Sequence, residues 1–140
     1  MQTWMIYAIL SMIFAGITSL LAKYGLQNVS ADFGLFVRTV VIFGFIILIN
    51  SVGGRFKEFY QLTTTQIILL VASGIATTVS WLFYYRAMKD GPVSYVAAID
   101  KASILVTIVL SFILLREPVS PKILIGAGLI FAGMIVLVWR

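Results

Sequence analysis

Five long apolar runs, separated by short polar connections, account for nearly the whole chain. A helix rising 1.5 Å per residue needs roughly 20 residues to cross about 30 Å of hydrocarbon. Residues 4–22, 33–52, 66–87, 92–115 and 123–139 meet that length. The first run closes on Lys23, Tyr24 and Gly25, and the second stops at Gly53-Gly54. Trp81, Tyr84, Tyr85 and Arg86 sit at the end of the third. The fourth lies between Gly91 and Pro118, and the fifth, short but long enough if upright, between Lys122 and Arg140. This pattern predicts an all-α integral membrane protein of five transmembrane helices, folded as one domain over 1–140. The opening MQTWMIYAIL has no basic stretch and stays apolar past the length of a signal peptide, so it is expected to be a retained first span.

The connections carry helix signals. Asn28, Ser30 and Asp32 make a polar turn suited to starting a helix, and one of Thr63, Thr64 or Thr65 can cap the third span. Phe56, Phe59 and Tyr60 beside Arg55, Lys57 and Glu58 predict a short piece lying in the interface. Lys89-Asp90-Gly91-Pro92 reads as a tight turn, with glycine at positive φ and proline opening the next helix. Pro118 and Pro121 bracket Val119-Ser120 in the last turn.

Composition narrows the chemistry. The 140 residues are 61% hydrophobic and 11% charged, against about 45–50% and about 25% in soluble domains. There is no Cys, hence no disulfide and no thiol chemistry. There is no His, the commonest general base and metal ligand. An enzyme is not expected, nor a metal site or cofactor. The net charge of +5 falls mostly at the ends of apolar runs, which fits contact with a lipid bilayer rather than nucleic acid.

With five spans the termini lie on opposite sides. If the N-terminus is inside, Arg55, Lys57, Arg116 and Lys122 are inside, and Lys23, Arg86, Lys89 and Arg140 outside. Positive charge normally sets orientation. This tie leaves two readings, a single orientation weakly chosen or insertion both ways with antiparallel pairing.

Candidate chemistry lies in ionisable residues at membrane depth. Arg38 is roughly 8 Å into the second span and Asp100 roughly 12 Å into the fourth, with Lys101 beside it. In an up-down chain these residues, with Lys23, Trp81, Tyr84, Tyr85 and Arg86, share one half of the membrane. The layer reads as a polar pocket in which Asp100 couples transport or meets a cation, while Arg38, Lys23 and Lys101 contact an anionic group between aromatic walls. It reads equally as a structural pairing of Asp100 with Arg38 or Lys101, with snorkelling ends and an aromatic belt in which Tyr84 and Tyr85 belong. In the fifth span Gly126 and Gly133, and the small pair Gly128 and Ala132, permit close helix approach, within the chain or across a dimer seam. Gly16, Gly44 and Gly74 mark either contacts or bends.

The stretch RAMKDGPVSYVAAIDKASILVTIVLSFILLREPVSPKILIGAGLIFAGMIVLV resembles the closing half of an EamA domain of the drug/metabolite transporter superfamily. It is similar in its Ala-x-x-x-Gly-Pro-x-Ser turn, the mid-helix Asp100-Lys101-Ala102-Ser103, the Arg116-Glu117 turn and the glycine-rich last helix. Lys23 and Arg38 match basic positions that recur in the first half. The resemblance implies one five-span repeat, where many relatives carry two in inverted orientation with the substrate site between them. It therefore implies a homodimer, most simply antiparallel, in a bacterial or archaeal inner membrane. Such a dimer would move a small polar metabolite by alternating access, and the excess of basic over acidic residues in the charged layer tilts the reading towards an anion or a zwitterion. Small multidrug resistance relatives use a Glu in the first helix; this first helix has no acidic residue, so their drug-proton mechanism is not implied. The other reading is a non-catalytic membrane subunit of a heteromeric transporter or lipid-linked sugar flippase.

Overall fold

In the computed structural model, which describes residues 2–116, 118 and 120–139, helix boundaries follow capping chemistry rather than the limits of the apolar runs. The features expected of Glu117, Val119 and Arg140 lie outside the described residues. Helix α1 spans Thr3–Gly25 and α2 spans Ala31–Val52. Ser30 caps α2, its Oγ accepting from Phe33 N at 3.3 Å. Helix α3 runs Thr64–Asp90. Thr63 and Gln66 form a reciprocal capping box: Gln66 N donates to Thr63 Oγ1 at 3.3 Å and Thr63 N to Gln66 Oε1 at 2.9 Å. The helices overrun the apolar runs because Lys23, Asp32 and Lys89 end the hydrocarbon stretch without ending the helical hydrogen bonding.

Between α2 and α3 the expected interfacial piece is a 3-10 helix, Arg55–Gln61, entered through Gly54 at φ 63°. Its Phe56, Phe59 and Tyr60 are exposed. Among the described residues Gly54 holds the positive glycine φ, so the turn at Gly91 is made without one, and Pro92 is the cap of the next helix rather than its first residue.

The fourth span departs from the uninterrupted helix expected over 92–115. It is built from α4, Val93–Lys101, then α5, Ser103–Leu110, then one π turn, Ser111–Leu115. At the break, Ala102 N bonds Ile99 O at 3.0 Å and Leu105 N bonds Ala102 O at 2.9 Å, three-residue spacings that tighten the backbone immediately after Asp100 and Lys101. The span ends at Arg116, whose φ of 53° is left-handed. Helix α6 covers Pro121–Val138, with Ser120 Oγ accepting from Ile123 N.

Among the described residues five helical spans, Val93–Leu115 counted as one, are long and apolar enough to cross a membrane. Their apolar side chains are largely exposed, as lipid-facing surfaces are. Hydroxyls within them turn back onto their own helix: Thr18 donates to Phe14 O, Thr39 to Leu35 O and Thr77 to Ser73 O, each within 2.9 Å. In hydrocarbon, where water cannot satisfy them, that is the cheapest partner.

The chain divides into two compact units, residues 1–90 and 91–140. In the first, α1 and α2 each pack on α3. Its core, Ser19, Leu26, Ala31, Leu35, Tyr85 and the fully buried Met88, gathers where α1 ends, α2 begins and α3 ends. In the second, α6 packs on α4 and α5, with Ala127 buried.

Candidate functional site

Because α1 and α2 lean on α3 rather than on one another, a cleft of about 440 Å³ opens between them. Its walls are Leu21, Ala22 and Gly25 of α1, Leu26 and Val29 of the connection, and Phe33, Gly34 and Val37 of α2. Thr18, Arg38 and Tyr85 bring the polar groups. At Gly34 a Cβ would meet Leu26 Cδ2, so any larger residue there would have to move the buried Leu26 side chain that lines the cleft.

Arg38 lies seven residues into α2, roughly 10 Å along the axis. Its guanidinium carbon sits 4.3 Å from the centre of the Trp81 ring and 5.6 Å from that of Tyr85. Trp81 and Tyr85 are one helical turn apart, so α3 presents both to the same cation. Tyr85 is buried, which removes it from the aromatic belt expected above. Among the described residues of this unit, no carboxylate pairs with Arg38. A guanidinium held over aromatic rings carries five N–H donors in a planar fork, the geometry that takes a carboxylate or phosphate bidentately.

The other basic residues of the unit are engaged differently. Lys23 Nζ donates to Met88 O and Lys89 O, both at 2.9 Å, and so satisfies carbonyls that α3 leaves open at its C-terminus. Lys89 Nζ returns to the connection, donating to Val29 O and, at 3.4 Å, to Leu26 O. Arg86 and Asp32 form a bidentate pair, Nε to Oδ1 at 3.0 Å and Nη2 to Oδ2 at 2.9 Å, open to solvent. Tyr84 faces α1 instead of the cleft: its hydroxyl lies 2.7 Å from Ser19 Oγ.

Of the residues singled out in the sequence, the structure thus joins Arg38 with Trp81, and sets Lys23 and Tyr84 to tying α1 onto α3. In the second unit Asp100 Oδ2 accepts from Lys101 Nζ at 3.1 Å, so the adjacent charges pair. They sit at the helix break, which the residue pattern did not announce. Gly126, Gly128 and Gly133 face open space, where a Cβ would meet nothing within 4 Å, and Ala132 is exposed. The same holds for Gly16, Gly44 and Gly74. Sequence reasoning missed the Asp32–Arg86 pair, the Ser19–Tyr84 bond and the place of Tyr85. The first was within reach, since Asp32 opens α2 and Arg86 closes α3 on the same membrane side. The four-residue step from Trp81 to Tyr85 was a further signal.

Among the described residues no group of His, Cys, Asp or Glu is arranged to hold a metal. Residues 2–139 match a family described as the EamA-like transporter family. A relative from Sinorhizobium sp, described as an uncharacterized transporter in the cobO 3' region, is 35% identical over 136 residues, covering 97% of this chain and 96% of the relative. No solved structure matches the chain.

Proposed function

Because the chain belongs to the EamA-like transporter family and is a multi-pass membrane protein, we propose that it moves a small metabolite bearing an anionic group by alternating access, as an antiparallel homodimer in a bacterial or archaeal inner membrane. The observation that carries this reading is Arg38. A cation within a membrane helix costs up to about 2.5–3.5 kcal/mol on insertion scales, the value at the helix centre, and Arg38 lies short of it. Stacking on two rings recovers about 0.5–2 kcal/mol of that. An anion meeting the in-plane edge of the guanidinium would offset the rest, and the cleft gives it room.

Asp100 is the proposed coupling group. Its support is an intramembrane carboxylate beside a tightened, interrupted helix, the arrangement transporters use to expose backbone and charge at an ion site. The dimer reading is supported by the even split of basic residues between the two sides and by the glycines of α6, which find no neighbour within 4 Å among the described residues of their own unit and leave a surface a second helix can approach closely.

The test is uptake and efflux in proteoliposomes holding the purified protein alone. Arg38→Gln and Asp100→Asn are each expected to lower transport by about tenfold or more. Normal transport by both variants would overturn the site. A second membrane protein that purifies in equal amount, and without which transport is absent, would replace the homodimer by the heteromeric reading.

A further inference from the structure

We infer that the Arg38 cleft selects an amphipathic monoanion, one carboxylate on an apolar body, over a zwitterion or a dianion. This rests on the reading of that cleft as the transport site and narrows its substrate class. Among the described residues of this unit, the cleft lining has one cation, Arg38, and no carboxylate: Asp32, the acid nearest in sequence, is absent from the lining and already bridged by Arg86. Apart from Arg38, the polar groups are the hydroxyls of Thr18 and Tyr85, and that of Thr18 already donates to Phe14 O. The remaining walls are Leu21, Leu26, Val29, Phe33 and Val37, with small residues between them.

The ligand chemistry follows from satisfying each group. The guanidinium carbon lies over the Trp81 ring, and the planar fork of N–H donors around it fits a planar carboxylate. A substrate ammonium would be desolvated against aliphatic walls with no acid to receive it, and a second carboxylate would find no second cation. An apolar body, by contrast, gains from leaving water for these walls. About 440 Å³ suits a body the size of a phenyl or branched alkyl group with a short linker.

The experiment is a binding ranking on the intact, purified protein in nanodiscs, read by the fluorescence of Trp81 after Trp4→Phe and Trp139→Phe. The probes are 3-phenylpropionate, phenylalanine and succinate. The expected order is 3-phenylpropionate tighter than either of the others by about tenfold or more. Arg38→Gln should weaken 3-phenylpropionate by about tenfold, with Arg38→Lys restoring it only in part, because an ammonium lacks the planar fork. Phenylalanine binding as tightly as 3-phenylpropionate would overturn the inference, and would mean that a carboxylate from outside this unit completes the site. Succinate binding as tightly would overturn it too. The ranking is made without altering Arg38, so it stands even if Arg38→Gln misfolds. The expected ranking without vesicle transport would overturn the transport reading and leave the selectivity intact; transport of a zwitterion in preference would do the reverse.

Discussion

Lys23 shows how position along a helix leaves a residue's task open. From the chain alone it is a basic residue at the end of a span, equally suited to substrate or to snorkelling. In the fold its ammonium bonds two carbonyls at the end of α3. Lys23→Met is therefore expected to lower stability by about 1–3 kcal/mol, the cost of leaving such carbonyls unmet, measured as a loss of unfolding midpoint in detergent. The Ser19–Tyr84 bond crosses from α1 to α3 in the same layer. Tyr84→Phe should cost about 0.6–1.5 kcal/mol, as interhelical hydrogen bonds in membranes do. With Ser19→Ala it should form a non-additive double-mutant cycle, since each change removes the same bond. Additive losses would show that the two hydroxyls act separately.

At the scale of elements, two left-handed residues carry opposite expectations. Gly54 turns the chain from α2 into the 3-10 segment at φ 63°, and Gly54→Ala should destabilise by about 1 kcal/mol. Arg116 holds φ 53° with a Cβ, so Arg116→Gly should stabilise by a similar amount, about 1 kcal/mol. Paired thermal melts check both signs. The capped starts of α2 and α3 were legible in the residues as short polar stretches, Asn28 to Asp32 and Thr63 to Thr65, while the structure decided that Ser30 and Thr63 are the caps. The break after Lys101 was not: VSYVAAIDKASILV has no Gly or Pro to mark it, and hydropathy registers only that the stretch is apolar. The tightening at Ala102 is a backbone rearrangement without a compositional signature.

For the whole molecule, the dimer proposal makes a prediction about α6. Gly128→Leu and Gly133→Leu put bulk into space that is empty among the described residues of their own unit. They should leave the protein folded while reducing the cross-linked dimer by about tenfold or more. A folded, fully dimeric variant would move the seam elsewhere. The even split of basic residues makes a second prediction: C-terminal reporters active only inside and only outside the cell should both be active at comparable levels. One silent reporter would exclude insertion both ways.

The sequence by itself determined the membrane class, the five spans and the family resemblance, because spanning hydrocarbon demands runs of a set length and leaves little freedom in how they are written. It also placed Arg38 and Trp81 in one layer, since alternating span direction puts the start of α2 and the end of α3 on the same side. Only the tertiary structure decided which member of that layer meets which. Arg38 stacks on Trp81 and Tyr85, Lys23 closes the end of α3, Arg86 takes Asp32, and Tyr84 turns to Ser19. Those choices depend on how α1 and α2 are rotated about their own axes against α3. Spans exposed to lipid on most sides carry no strong apolar stripe to fix that rotation, so it is set by the polar contacts themselves.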